Sequence, residues 1–149
     1  MQLFRCWSGV MSKIILPILA FFFIAGSSLY AEGVNWRSWE AAVDEAKSTN
    51  KIIMMDVIRD NCRYCIKMEK AVFDNEKMAA YIEKNFIPVK VNLSKRELPM
   101  GLKVEITPTF FFFTADKKMI KKISGSWNQR DFHGFTDKII ANSRLKDEK

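Results

Sequence analysis

Hydrophobic positions recur along this chain with different periods in different stretches. Residues 14–26 are thirteen apolar or small residues without a charge. Beyond them, Trp36, Trp39, Val43 and Ala46 recur at helical spacing, which predicts a helix over 36–48 capped by Asn35. Residues 51–58, rich in Ile, Met and Val, read as a short buried strand. Over 62–72 the residues Cys65, Met68 and Val72 fall on one helical face. Asn75 is placed to cap the next helix, with Met78, Tyr81 and Ile82 inward. Residues 86–93 read as a strand that tolerates Pro88 near its start.

The second half is predicted in the same way. Residues 94–103 are polar and irregular, with room for one helical turn. Four consecutive phenylalanines occupy 110–113, a run that a strand buried on both faces explains. Residues 115–117 read as a turn, and 118–124 as a lysine-rich strand suited to a sheet edge. Asn128 with Asp131 resembles a helix cap, and Phe132, Phe135 and Ile139 form the inner stripe of a last helix. The order is helix, strand, helix, strand, hairpin, helix. A strand–helix–strand crossover requires parallel strands and a hairpin requires antiparallel ones. The fold class is therefore α/β, a mixed central β-sheet flanked by helices on both faces.

Length and composition narrow this picture. The 149 residues suit one domain, and 48% hydrophobic with 28% charged residues argues against a disordered chain. No repeat or Pro/Gly-rich linker divides it. The charge of +7, from 24 basic against 17 acidic residues, would suggest nucleic acid, but the lysines of 117–122 carry no aromatic interleaving. They read as a solvated edge, and no nucleic-acid partner is expected.

The first apolar run changes the arithmetic. Arg5 and Lys13 precede it, and Ser27, Ser28 and Ala31 follow it. A basic start, a short apolar stretch and a small residue at a cut site describe a secretory signal peptide over 1–31. Met11 is an alternative start, and an uncleaved anchor tethering the domain to the inner membrane is the rival reading. Removing the leader leaves 118 residues, 32–149, as one domain of charge +5. Cys6 leaves with the leader, so an exported domain would hold two cysteines, Cys62 and Cys65, where disulfides can form.

Cys62-Arg63-Tyr64-Cys65 follows a predicted strand and opens a predicted helix. Two intervening residues on a helical turn bring the sulfurs within bonding reach. A cysteine at a helix N-terminus meets unpaired N–H groups that favour the thiolate, and Arg63 acts in the same sense. Cys62 then reads as the attacking nucleophile and Cys65, further down the inner face, as the resolving thiol. A structural disulfide would close a four-residue loop and contribute little chain-entropy stabilisation. A c-type haem site requires His at position 66, which is Ile66. Zinc needs two further ligands, and only His133 and carboxylates remain.

Three separated features make the chain resemble the thioredoxin-like family: the Cys-x-x-Cys after the first core strand, Asp56 six residues before Cys62, and Thr107-Pro108-Thr109 ahead of the phenylalanine strand. The likeness runs from about Trp36 to Leu145 and extends to exported members and to the C-terminal domain of a transmembrane thiol reductase. Two positions depart from thioredoxin itself: Asn61 stands where Trp precedes the first cysteine, and Arg63-Tyr64 replaces Gly-Pro. That dipeptide tunes the thiol and the reduction potential.

The resemblance implies a thioredoxin fold and a thiol–disulfide oxidoreductase, exported to the periplasm and more in the style of a reductase than of an oxidase or isomerase. A non-catalytic binding or chaperone module is the rival from another class. By resemblance, Asp56 is a buried carboxylate that takes the proton of Cys65, and Pro108 is cis, with Thr107 beside it to pair with a substrate strand. Arg63 and Tyr64 are expected to touch the substrate. The redox-active Cys62–Cys65 disulfide stands in for any cofactor, and no metal is expected. Protein thiols and disulfides are the expected partners of a monomer, with a membrane thiol reductase as electron donor.

Overall fold

A computed structural model describes residues 33–147. The leader reading and Cys6 lie outside the described residues. Helix α1 spans Trp39–Thr49, strand β1 Ile52–Ile58, α2 Arg63–Met68, α3 Glu76–Asn85 and β2 Phe86–Asn92. Strands β3, Thr109–Phe113, and β4, Met119–Ser124, form a hairpin, and α4 covers Gln129–Asp147. The four strands stand in the order β2-β1-β3-β4. Strands β1 and β2 are parallel, joined by the crossover through α2 and α3, whereas β3 runs antiparallel to both β1 and β4. This is the mixed sheet that the pattern implies.

Strand alternation divides the core into two layers. Ile53, Met55, Val57, Ile87, Val89, Phe111 and Phe113 pack with Ala42, Val43 and Ala46 of α1. Ile52, Met54, Phe86, Phe110 and Phe112 pack on the opposite face with residues of α2, α3 and α4. The phenylalanine run is buried on both sides because β3 is an interior strand with helices on either face. Strand β4 is an edge, and exposed Lys121 and Lys122 guard it against strand pairing.

The expected helix start is wrong by three residues. Asn35 does not cap α1; Ser38 does, its Oγ accepting from the Ala41 N–H at 3.2 Å. The chain is still extended at Arg37, which bridges to Val89 and donates its N–H to the Pro88 carbonyl at 2.9 Å. Trp36 therefore leaves the helical stripe and packs edge-on against Phe73 on the other face of the sheet. Pro88 is tolerated for a related reason. A residue's N and O point to the same side of a strand, and the Pro88 carbonyl faces outward to Arg37. Its missing N–H falls on the open edge of β2 and removes no bond to β1.

The predicted 62–72 helix is also divided. After α2 the backbone widens into one π turn, Glu69–Phe73, closed by the Asp74 N–H donating to the Glu69 carbonyl at 2.9 Å. Both Val72 and Phe73 are buried as a result. Asn75 caps α3 through the Met78 N–H, and Asn128 caps the first turn of α4 through the Asp131 N–H, as the sequence implies. One 3₁₀ turn, Pro99–Gly101, lies in the polar stretch between β2 and β3.

Candidate redox site

Residue Asn61 turns the chain out of β1 with φ 56°, a left-handed conformation that Asn tolerates. The turn delivers Cys62 to the N-cap of α2, where its Sγ accepts the Cys65 N–H at 3.1 Å. The two sulfurs are bonded, with Cα atoms 5.2 Å apart. The pair is asymmetric. Cys62 is half-buried at the helix tip, whereas Cys65 lies on the inner face and is 8% exposed. The outer sulfur is the more accessible of the two.

A second segment closes over the pair. The Thr107 hydroxyl donates to Cys62 Sγ at 3.4 Å, and the Thr107 carbonyl lies 3.6 Å from the same sulfur. The Thr107–Pro108 peptide is cis. Pro108 is buried, and its carbonyl accepts the Gly125 N–H at 2.9 Å, which ties the loop to the end of β4. The Thr109 hydroxyl fixes the same loop by donating to the Ile106 carbonyl at 2.8 Å. Residues some 45 positions apart are thus brought against one sulfur.

On the sheet face that α2 covers, Asp56 is 1% exposed. Its Oδ1 has no hydrogen-bond partner. Burial pushes its carboxyl from 3.8 up to about 7; Lys90 pulls it back down and Glu69 pushes it further up. Lys90 is the register partner of Asp56 across the parallel β1–β2 pair. Its ammonium sits on the Glu69 carboxylate at 2.5 Å and over the Trp36 ring at 4.0 Å. Cys62, Cys65, Glu69 and Lys90 line one cleft of about 330 Å³ beside the disulfide.

The structure therefore brings together Cys62, Cys65, Thr107 and Pro108, and buries Asp56 on the sheet face that α2 covers. Arg63 and Tyr64 are exposed at the rim, the guanidinium 5.1 Å from the Tyr64 ring centre. His133 is elsewhere, stacked on Tyr81 and paired with Asp137. Among the described residues no group of three His, Cys, Asp or Glu side chains could hold a metal. Sequence reasoning missed Glu69, Lys90 and Trp36. Two signals were present: Lys90 interrupts an apolar strand, and Glu69 follows Cys65 by one helical turn.

Comparison with known proteins agrees with this geometry. A family model described as a thioredoxin-like domain matches residues 39–140. Spermatogenesis-associated protein 20 of mouse is 38% identical over 64 residues, and its human counterpart 34% over the same length. That stretch is 42% of this chain but only 8% of either relative, so the match spans a small part of a much longer protein. Among solved structures, a DsbH oxidoreductase aligns with a TM-score of 0.62 at 18% identity, covering 80% of this chain and 92% of its own. A thioredoxin from Thermus thermophilus gives 0.60 at 19%, covering 72% and 87%. The C-terminal domain of Neisseria meningitidis DsbD gives 0.55 at 14%, covering 66% and 90%. At these identities the likeness is one of fold. The fold with a disulfide-bonded Cys-x-x-Cys supports thiol–disulfide oxidoreductase chemistry in general, and the chain belongs to the thioredoxin-like domain family.

Proposed function

We propose that this chain is an exported thiol–disulfide oxidoreductase of the periplasm that reduces protein disulfides as a monomer. The observation that carries the reading is the asymmetric Cys62–Cys65 pair, outer sulfur at a helix tip and inner sulfur buried. In the reduced protein the Cys62 thiolate attacks a client disulfide, forms a mixed disulfide and expels one client thiolate. Cys65 then attacks Cys62 Sγ, releases the second client thiolate and restores the internal disulfide. Two electrons pass from the dithiol to the client, and a membrane thiol reductase returns them. No further cofactor enters.

Each neighbour has a task in this scheme. The Cys65 N–H and the Thr107 hydroxyl stabilise negative charge on Cys62 Sγ. Asp56, whose carboxyl titrates at about 7, takes the proton of Cys65 as it becomes the second nucleophile. Lys90 and Glu69 set that carboxyl's affinity for the proton from opposite directions. Arg63 and Tyr64 meet the client at the rim, and the backbone at Thr107 pairs with its extended chain.

One observation favours the opposite direction. Hydrogen bonds that stabilise the Cys62 thiolate stabilise the reduced form, and so favour an oxidase or isomerase. Equilibrating the Cys62–Cys65 couple with glutathione decides between them. A potential near that of thioredoxin, about −270 mV, supports the reductase, and one near −120 mV supports the oxidase. The chemistry itself is tested with Cys65→Ser, which leaves Cys62 free to attack but removes the resolving thiol. It should accumulate mixed disulfides with client proteins, and Cys62→Ser should accumulate none. Equal behaviour of the two variants would leave the pair a structural disulfide in a binding module.

A further inference from the structure

The large apolar side chains that the described residues leave open to solvent are Tyr64, Ile66, Met100, Ile106 and Met119. Three of these, Tyr64, Ile66 and Ile106, flank the disulfide. Tyr64 and Ile106 both line a groove of about 550 Å³ that Arg59, Glu105, Thr107, Pro108, Gly125 and Ser126 complete. Clustered exposed apolar side chains of this kind mark an interaction surface.

The groove also carries a charge pattern. Arg59 and Arg63 are both exposed, one on the groove wall and one beside Cys62. Neither is among the ion pairs of the described residues, which engage Arg37, Lys47, Lys90 and His133. The Arg63 guanidinium lies over the Tyr64 ring and donates to its hydroxyl at 3.3 Å, which orients the cation at the rim without neutralising it. Asp60, the nearest acid in sequence, keeps its charge, but it lines the neighbouring cleft with Asn92, whose side-chain amide donates to it at 2.7 Å, and not this groove. Glu105 is the acidic side chain on the groove wall, and it is exposed.

We propose, resting on the oxidoreductase reading, that this groove selects extended client segments carrying a carboxylate and an apolar residue beside the disulfide, with Arg59 and Arg63 meeting the carboxylate. The apolar residue packs between Tyr64 and Ile106. Glu105 opposes the selection, so its removal strengthens it. Charges placed this way act mainly on encounter and register, and salt screens them.

The test uses two disulfide-linked peptides that differ only in having Glu or Lys beside the cysteine. Reduced protein is mixed with each, and the ratio of kcat/KM, acidic over basic, is read. The expected ratio is roughly tenfold at low salt, falling toward one at ~0.5 M salt. Combined Arg59→Gln and Arg63→Gln substitution should bring it near one at low salt, and Glu105→Gln should raise it severalfold. Lys121→Gln with Lys122→Gln, on the edge strand and outside the groove lining, should leave it unchanged. A wild-type ratio near one overturns the proposal, as does a ratio that survives loss of both arginines or one that falls equally with the lysines. Binding of the same peptides with Ser for Cys, followed by shifts of the Tyr64 and Ile106 amides, separates the two claims. Absence of reduction with retained acidic preference refutes the oxidoreductase reading alone. Reduction without acidic preference refutes the selection alone.

Discussion

Substituting Asn for Asp56 removes an ionisation without changing the side chain's shape. The folded carboxyl titrates at about 7 and the unfolded one at 3.8, so between those values the folded protein binds the extra proton. The contribution of Asp56 to stability is therefore full below about pH 4 and is lost as pH rises through about 7, above which it levels. A shift of some three pH units corresponds to roughly 4 kcal/mol at most, taking about 1.4 kcal/mol per unit. Asn carries no such dependence, and its amide adds only a pH-independent offset from whatever hydrogen bonds it makes or misses. The informative quantity is therefore the slope of the difference between the two proteins, in which the other titrating groups cancel. Urea melts of the oxidised proteins from pH 4 to 9 should show Asp56→Asn gaining on the wild type by several kcal/mol across that interval. A difference curve flat to within about 0.5 kcal/mol would mean that Asp56 ionises as freely in the folded state as in the unfolded one, and both the burial argument and the proton-acceptor role would fall with it.

The neighbours of Asp56 should move the same transition in opposite directions. Lys90→Met removes the cation that holds the carboxyl down, so the inflection in stability should shift above pH 7, whereas Glu69→Gln should shift it below; equal shifts would refute the assignment of the two charges. In turnover assays Asp56→Asn should slow release from the mixed disulfide more than its formation, and single-turnover kinetics separate the two. At the start of α1, Ser38→Ala should cost about 1 kcal/mol in a denaturation melt while Asn35→Ala stays within about 0.5, because only Ser38 supplies the cap. Phe110→Ala should cost about 3–5 kcal/mol, since that ring is fully buried between Phe73 and Phe132.

What could be read from the sequence was whatever has a period or a fixed spacing. The apolar run of β1 and the phenylalanine run of β3 follow from a sheet covered on both faces, and the Cys-x-x-Cys follows from one helical turn. The start of α1 was misplaced because Trp36 fits the helical stripe by spacing alone. What decides its conformation is a non-local bond, Arg37 to Pro88, between residues 51 apart. Lys90 and Glu69 were missed for a like reason. A lysine in a strand and a glutamate on a helix are each ordinary, and their meaning appears only once parallel pairing sets Lys90 opposite Asp56 and the fold brings Glu69 onto the Lys90 ammonium.

On the proposed mechanism, the two sulfurs face opposite electrostatic problems, and the fold supplies a different answer to each. Cys62 must be a thiolate at the surface, so it is given N–H and O–H donors from two separate segments. Cys65 must stay protonated until the mixed disulfide has formed, so it is buried on the same sheet face as a carboxylate that is itself reluctant to ionise. An ionised Asp56 and a Cys65 thiolate would be two buried anions with one cation, Lys90, already shared with Glu69. That arrangement disfavours both anions existing together, so on this mechanism the proton that leaves Cys65 passes to Asp56. Donors at the outer sulfur pull the couple toward oxidant, and the buried acid pulls it toward reductant. The measured potential is the balance of the two, and Asp56→Asn should move it in the oxidising direction. A potential that does not respond to Asp56→Asn would show that the buried carboxylate has no electrostatic hold on the pair.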